Sequence, residues 1–187
     1  MSVTIELLDG NAALSAVPEL ASVLVDCVEG GASVSFMAPL SHEKAEAFWT
    51  DVAVRAARAE LYVLVARDDS GVILGTVQLQ TALPENQPHR ADVAKLLVHR
   101  SGHRKGIAEA LMRELETLAV DRGKTLLVLD AVTGGDAYRL YQRLGWQVIG
   151  DIPNYALFPD GRPCSTTYMW KVPGDVPSPS RSLDSRY

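Results

Sequence analysis

Residues 99–111 read HRSGHRKGIAEAL, a basic turn that runs straight into an apolar helical rhythm. His99, Arg100, His103, Arg104 and Lys105 bring positive or ionisable side chains, and Gly102 and Gly106 bring backbone freedom. Ile107, Leu111, Leu115 and Leu118 then recur at threes and fours. The start of a helix leaves N–H groups without partners and carries a partial positive charge, so a turn of this composition suits an anion, phosphate above all. It is not a Walker A loop, because Gly106 is followed by Ile107 and Ala108 rather than Lys-Ser/Thr. It lacks the three spaced glycines and the acidic partner of a dinucleotide fingerprint. What remains is a pyrophosphate site of another kind at a helix start. Neither the four histidines (His42, His89, His99, His103) nor Cys27 and Cys164 offer a ligand set, so no metal is expected. No Ser/His/Asp order and no Gly-x-Ser-x-Gly is present.

The chain that must position this turn has 187 residues, enough for one domain that buries roughly 70% of its unfolded surface. Its net charge is −5, which gives no global signal for nucleic acid. Two cysteines make no disulfide framework and are expected as reduced thiols. MSVTIELLDG does not read as a signal peptide, and no apolar run reaches the length of a membrane span, so a cytoplasmic protein without membrane contact is expected.

Periodicity places a strand at 3–8, a helix over 11–29, and a second helix over 41–58 opened by Ser41. LYVLVAR (61–67) and VILGTVQLQ (72–80) flank DDSG and read as a hairpin. A strand at 91–98 leads into the basic turn, and a helix follows to about Asp121. TLLVLD (125–130) is apolar enough for a buried central strand ending at Asp130. A helix over 136–144, a strand at 146–151, a loop at 152–163 and a last strand at 164–171 complete a single domain over 1–171. Residues 172–187 are Pro- and Ser-rich and read as a flexible tail. This order predicts an α/β (α+β) domain with a mixed sheet, and the basic turn lies at the C-terminal end of a strand, where open sheets bind ligands.

Two blocks add a resemblance. LLVHRSGHRKGIAEALM resembles motif A of the GNAT N-acetyltransferase superfamily, a strand, then Gln/Arg-x-x-Gly-x-Gly/Ala, then a helix. Gly106 and Ala108 fill its last two positions, and His103 stands where the family has Gln or Arg. Ala137-Tyr138-Arg139-Leu140-Tyr141-Gln142-Arg143-Leu144-Gly145-Trp146 resembles the family's coenzyme-A-side helix. The likeness covers about residues 60–171. GGASVSFM (30–37), RADVAKLLV (90–98), LLVLD (126–130) and IPNYALFPDGR (152–162) are further similar to the family's tabtoxin-resistance acetyltransferases.

The resemblance implies a mostly antiparallel central sheet with splayed parallel strands and flanking helices. It implies acetyl-CoA as cosubstrate and direct transfer of the acetyl group to a primary amine of a small molecule: an antibiotic, a toxin or an amino-acid-like metabolite. It places the pyrophosphate on His103, Arg104, Lys105, Gly106, Ile107 and Ala108, the pantetheine along Leu96, Leu97 and Val98, and Ala137 beside the coenzyme. Tyr141 is implied as the general acid for the leaving thiolate, with Tyr138 as its decoy and a core role as the plain alternative. A primary ammonium, pKa near ~10.4, must lose a proton before it attacks. Asp130 and Asp92 are the candidates to take the proton or bind the cation, with water as the remaining base. Asp130 draws more suspicion because it follows so apolar a run. The amide of Val98 or Leu97 is the implied oxyanion donor.

Ser33, Phe36 and Tyr155 join Asp92 and Asp130 as candidate acceptor contacts, and Glu29, Glu43, Glu46 and Asp51 form either an acidic wall or an ordinary solvated helix face. The alternatives are a non-catalytic acyl-CoA-binding regulator, a protein or peptide N-acetyltransferase and, least favoured, a nucleotide-binding regulator. A homodimer through strand 164–171 and the tail is a further expectation.

Overall fold

The computed structural model describes residues 3–174. Its elements run β1 (Val3–Leu8), α1 (Gly10–Ser15), α2 (Val17–Glu29), α3 (His42–Ala57), β2 (Leu61–Asp68), β3 (Ile73–Gln80), β4 (Arg90–Val98), α4 (Ile107–Asp121), β5 (Leu126–Val132), α5 (Asp136–Arg143), β6 (Gln147–Leu157) and β7 (Pro163–Lys171). A short 3-10 turn, Arg100–Gly102, lies between β4 and α4.

One seven-stranded sheet carries these elements in the order β1-β2-β3-β4-β5-β7-β6. Every neighbouring pair is antiparallel except β4 and β5. The sheet is therefore mixed and mostly antiparallel, as the resemblance implies. Helices α1, α2 and α3 cover one face through Leu20, Leu24, Trp49 and Val52, packed on Leu61, Val63, Val65 and Leu97. Helices α4 and α5 cover the other through Ile107, Leu111, Leu115 and Leu140, packed on Leu64, Val77, Leu79, Leu127 and Leu129. β3 lies under both layers and is buried along nearly its whole length.

Local chemistry explains most boundaries. Ser41 opens α3 by accepting the Lys44 amide at 3.2 Å. Asp9 opens α1 by accepting the Ala12 amide at 2.8 Å. The expected single helix over 11–29 is two helices. Pro18 stands in the first turn of α2, where a missing N–H costs nothing, whereas mid-helix it would clash with the preceding turn.

Three further expectations are corrected. β5 continues to Val132 because its pairing with β7 extends to Val132 opposite Thr166, so Asp130 lies inside the strand and not at its end. The expected loop at 152–163 is largely strand: β6 pairs with β7 as far as Leu157 opposite Pro163, and a register shift between Ile152 and Ala156 absorbs Pro153 and Asn154. β7 is bonded on both sides, to β5 and to β6, so the edge strands of the sheet are β1 and β6 and not 164–171. Of the tail expected from 172, Pro173 is buried and residues 175–187 lie outside the described residues.

Leu111 is fully buried between α4 and the sheet. Leu111→Ala is expected to lower unfolding free energy by about 2–5 kcal/mol, measured as a reduced urea midpoint at unchanged slope.

Candidate active site

The basic turn is held from below by α2. Asp26 accepts the Arg100 main-chain N–H at 2.7 Å and its Nε at 2.8 Å, with His99 Nε2 at 3.5 Å. Burial works against the charged Asp26 carboxyl, but the hydrogen bonds from Arg100 prevail and its pKa falls below the usual value. Arg100 is thus a structural anchor, turned toward Asp26 and Glu29. Gly102 closes the turn on the helix start: a Cβ there would sit 2.9 Å from Ile107 Cδ1 and 3.2 Å from Val98 Cγ1. His103 turns its ring back on β4, Nε2 lying 3.0 Å from the Val98 carbonyl, which sets it as the donor. Arg104 (φ 61°) and Gly106 (φ 76°) then adopt left-handed conformations that swing the chain into α4. The first amides of α4, Ile107 and Ala108 among them, are left without intrahelical partners at the positive end of the helix dipole. Arg104 and Lys105 are exposed beside them.

β4 and β5 are registered only from Arg90 opposite Leu126 to Asp92 opposite Val128. Beyond Asp92 the two strands part, so Leu96, Leu97 and Val98 have no strand on their β5 side. β4 also carries one extra residue: Ala94 pairs with Gln78 and Leu97 with Thr76, so three steps on β4 match two on β3. Lys95, within this bulge, has φ 53°. Ala137 is exposed on the first turn of α5, while Tyr141 is buried, its ring 5.8 Å from that of Trp146. Burial, with a smaller contribution from the Asp130 charge, pushes the Tyr141 phenol above its ordinary pKa, so it keeps its proton at neutral pH. Tyr138 instead accepts a bond from Gln142 at 2.9 Å.

On the α3 side of the sheet the segment after α2 folds over β5, β6 and β7 and leaves a cleft of about 330 Å³. Ser33, Ser35, Phe36 and Met37 form its roof, Asp130 to Val132 one wall, Tyr155 to Leu157 another, and Cys164 and Thr166 complete it. Ser33 Oγ donates to the Leu157 carbonyl at 2.8 Å and ties roof to wall. The Thr166 hydroxyl lies 3.1 Å from Asp130 Oδ2 and 3.0 Å from the Ala131 carbonyl. Tyr155 and Tyr168 meet hydroxyl to hydroxyl at 2.9 Å; that bond, then burial, pushes Tyr168 up to about 12.

Of the residues singled out in the sequence, Ser33, Phe36, Asp130 and Tyr155 meet in this cleft. Asp92 does not line it. It is half-buried on β4, 3.3 Å from Arg90, with Oδ1 lacking a hydrogen-bond partner among the described residues. Burial raises the Asp92 pKa, Arg90 opposes and Asp130 adds to the rise. The acidic wall is also absent from the cleft: Glu43, Glu46 and Asp51 lie away from the inward side of α3, which Ala45, Trp49, Val52 and Ala53 occupy, and Glu29 faces Arg100. Lys95, Thr166 and Tyr168 went unnoticed in the sequence. For Lys95 a signal existed, a lone cation inside the apolar run ADVAKLLV.

Residues 31–146 match the model of the acetyltransferase (GNAT) family. The fold matches an N-acetyltransferase from Staphylococcus aureus Mu50 at a TM-score of 0.75 and 17% identity, covering 92% of this chain and 99% of that one. It matches yncA of Salmonella typhimurium, solved with its cofactor acetyl-CoA, at 0.73 and 18%, covering 97% and 100%. A ribosomal-protein-alanine N-acetyltransferase from Brucella melitensis matches at 0.74 and 21%, covering 90% and 99%. At these identities the likeness establishes the shared fold.

Asp26→Ala is expected to lower stability by about 1–3 kcal/mol, since it strands the Arg100 donors. Because folding depresses the Asp26 pKa, its contribution is present above the unfolded value near ~3.9 and fades as pH falls through the folded one. Unfolding free energies of the two proteins should therefore differ fully at pH 7 and converge below about pH 4.

Proposed function

The chain belongs to the acetyltransferase (GNAT) family, whose members move an acetyl group from acetyl-CoA to an acceptor, and from this premise we propose that its acceptor is a primary amine of a small molecule. The observation that carries this reading is the parting of β4 from β5, which sets an anion-binding turn on one side and a small cleft with a carboxylate on the other. The cleft lies at the low end of the sizes that hold small ligands.

In this reading the amides of Arg104 to Ala108 take the pyrophosphate, with Arg104 and Lys105 adding charge, while His103 supports the turn through Val98. The free β5-side edge of Leu96, Leu97 and Val98 takes the pantetheine as an added strand. Ala137 leaves room for it at the start of α5. When bound, acetyl-CoA supplies the thioester carbonyl that the amine attacks.

Asp130 binds the acceptor ammonium, and the proton leaves to Asp130 or to water before the new C–N bond forms. The amide of Val98 or Leu97 donates to the carbonyl oxygen as negative charge develops there. Tyr141 Oη gives its proton to the sulfur as the C–S bond breaks. Asp92, off the cleft and next to Arg90, acts on the acceptor through Asp130's charge rather than by contact. The stretches 30–37, 90–98, 126–130 and 152–162, similar to tabtoxin-resistance enzymes, favour an amino-acid-like toxin or antibiotic, and the reaction is placed in the cytoplasm with acetyl-CoA.

The test is thiol release from acetyl-CoA against amino acids, aminoglycosides, polyamines and peptides. Turnover with a small amine is expected, and Tyr141→Phe should lower kcat by about 10²–10⁴-fold with acetyl-CoA binding kept. Binding of acetyl-CoA without turnover on any amine would favour a regulatory module, peptides as sole acceptors would favour protein N-acetylation, and failure to bind acetyl-CoA would overturn the reading. Asp130→Asn should raise KM for the amine about tenfold or more while leaving acetyl-CoA affinity unchanged, as seen in two-substrate kinetics.

A further inference from the structure

The bulge in β4 changes which way its side chains point. Before it, odd positions face α4: Ala91 and Val93 belong to the core on that side. After it, odd Leu97 belongs to the core under α1–α3, and even Leu96 and Val98 pack toward α4. Lys95 is the residue at which the phase changes. In an unbroken strand it would follow Ala91 and Val93 into the apolar layer beneath α4. Instead its φ of 53° carries the side chain to the opposite face. There Nζ donates to Ser35 Oγ at 3.1 Å and lies 5.8 Å over the Phe48 ring.

Ser35 is a roof residue of the cleft and has itself a left-handed backbone, φ 78°. Two non-glycine residues in a conformation that side chains rarely adopt thus meet side chain to side chain at the cleft roof. Strain of this kind persists where the surroundings hold it and collects at ligand sites.

Lys95 is half-buried and makes no ion pair among the described residues; its one hydrogen bond goes to a neutral hydroxyl. Burial lowers its pKa, and the charge of Asp130 partly restores it. Asp130 is thus near enough to feel, yet the two do not pair. A desolvated ammonium without a counter-ion calls for an anion. The cleft carries Asp130 on one wall and Ser35 in its roof, and Lys95, which does not itself line the cleft, stands behind Ser35 with Nζ 3.1 Å from its hydroxyl.

Resting on the reading of this cleft as the acceptor site, we propose that Lys95 with Ser35 binds a carboxylate of the acceptor, so that the acceptor is a zwitterionic amino acid or a close analogue. A polyamine would bring a second cation against Lys95. A peptide N-terminus would bring a neutral amide where the site offers a positive charge. The zwitterion alone satisfies both groups, its ammonium at Asp130 and its carboxylate at Lys95.

The experiment is calorimetric titration of the full chain, with and without coenzyme A, by free α-amino acids and by their α-carboxamides. At least one free acid is expected to bind about 10- to 100-fold tighter than its amide. Lys95→Met, which keeps the aliphatic stem, should erase that preference by weakening the acid alone. Ser35→Ala should reduce it in part, and the wild-type comparison of acid with amide tests the subsite without any variant. Equal affinity for acid and amide, a preference that survives Lys95→Met, or no amino acid binding at all overturns the proposal. Acetyl transfer to the same compounds separates the two readings. Transfer to acids and amides with equal kcat/KM overturns the Lys95 subsite and keeps the acetyltransferase, whereas acid-selective binding without transfer to any amine keeps the subsite and overturns the catalytic reading.

Discussion

β4 and β5 are the one parallel pair in the sheet, and they stay together for three registered positions. Everything distinctive about the molecule depends on their parting. A strand in the middle of a sheet normally spends both rows of main-chain groups on its neighbours, and buried groups left over must find partners. Here no strand pairs with the β5 side of Leu96 to Val98, and side chains take part of that role, the Val98 carbonyl accepting from His103 and Cys27. α4 starts at the C-terminal end of β4, which puts its positive pole at the mouth of the gap.

The bulge and the left-handed residues serve the same geometry. Of the five non-glycine residues with positive φ among the described residues, Lys95 and Ser35 meet at the cleft roof, Arg104 shapes the turn, and Asn154 lies in the irregular stretch of β6 next to Tyr155. Only Ala59, in the turn between α3 and β2, stands apart. The apolar layers above and below the sheet are packed almost without exposure.

Asp130 is the electrostatic centre. Its charge is felt by Asp92, Lys95, Tyr141 and Tyr168, which come from two strands and a helix. Each responds according to its surroundings: Tyr141 is held protonated chiefly by burial, Asp92 is divided between burial and Arg90, and Lys95 is pulled between burial and attraction. One carboxylate on the cleft wall thus acts on residues of β4, β7 and α5.

The sequence by itself determined the elements and the family. Period-2 and period-3.6 patterns are local, so strands, helices and caps such as Ser41 could be read directly, and the turn at 99–106 showed its chemistry because glycine and charge are local signals too. It also singled out Ser33, Phe36, Asp130 and Tyr155, residues from three segments far apart in the chain that the structure brings to one cleft. Elsewhere the reading failed: Pro153 and Asn154 read as loop, yet they lie within β6 because pairing with β7 resumes at Ala156, and Pro18, a local signal, divided a helix whose apolar rhythm ran on. The face to which Lys95 points, the occupation of Arg100 by Asp26, and the displacement of Asp92 from the cleft belonged to tertiary structure alone. Each depends on strand register or on a contact between residues distant in sequence, and a one-residue bulge reverses a strand's faces without leaving a mark in its composition.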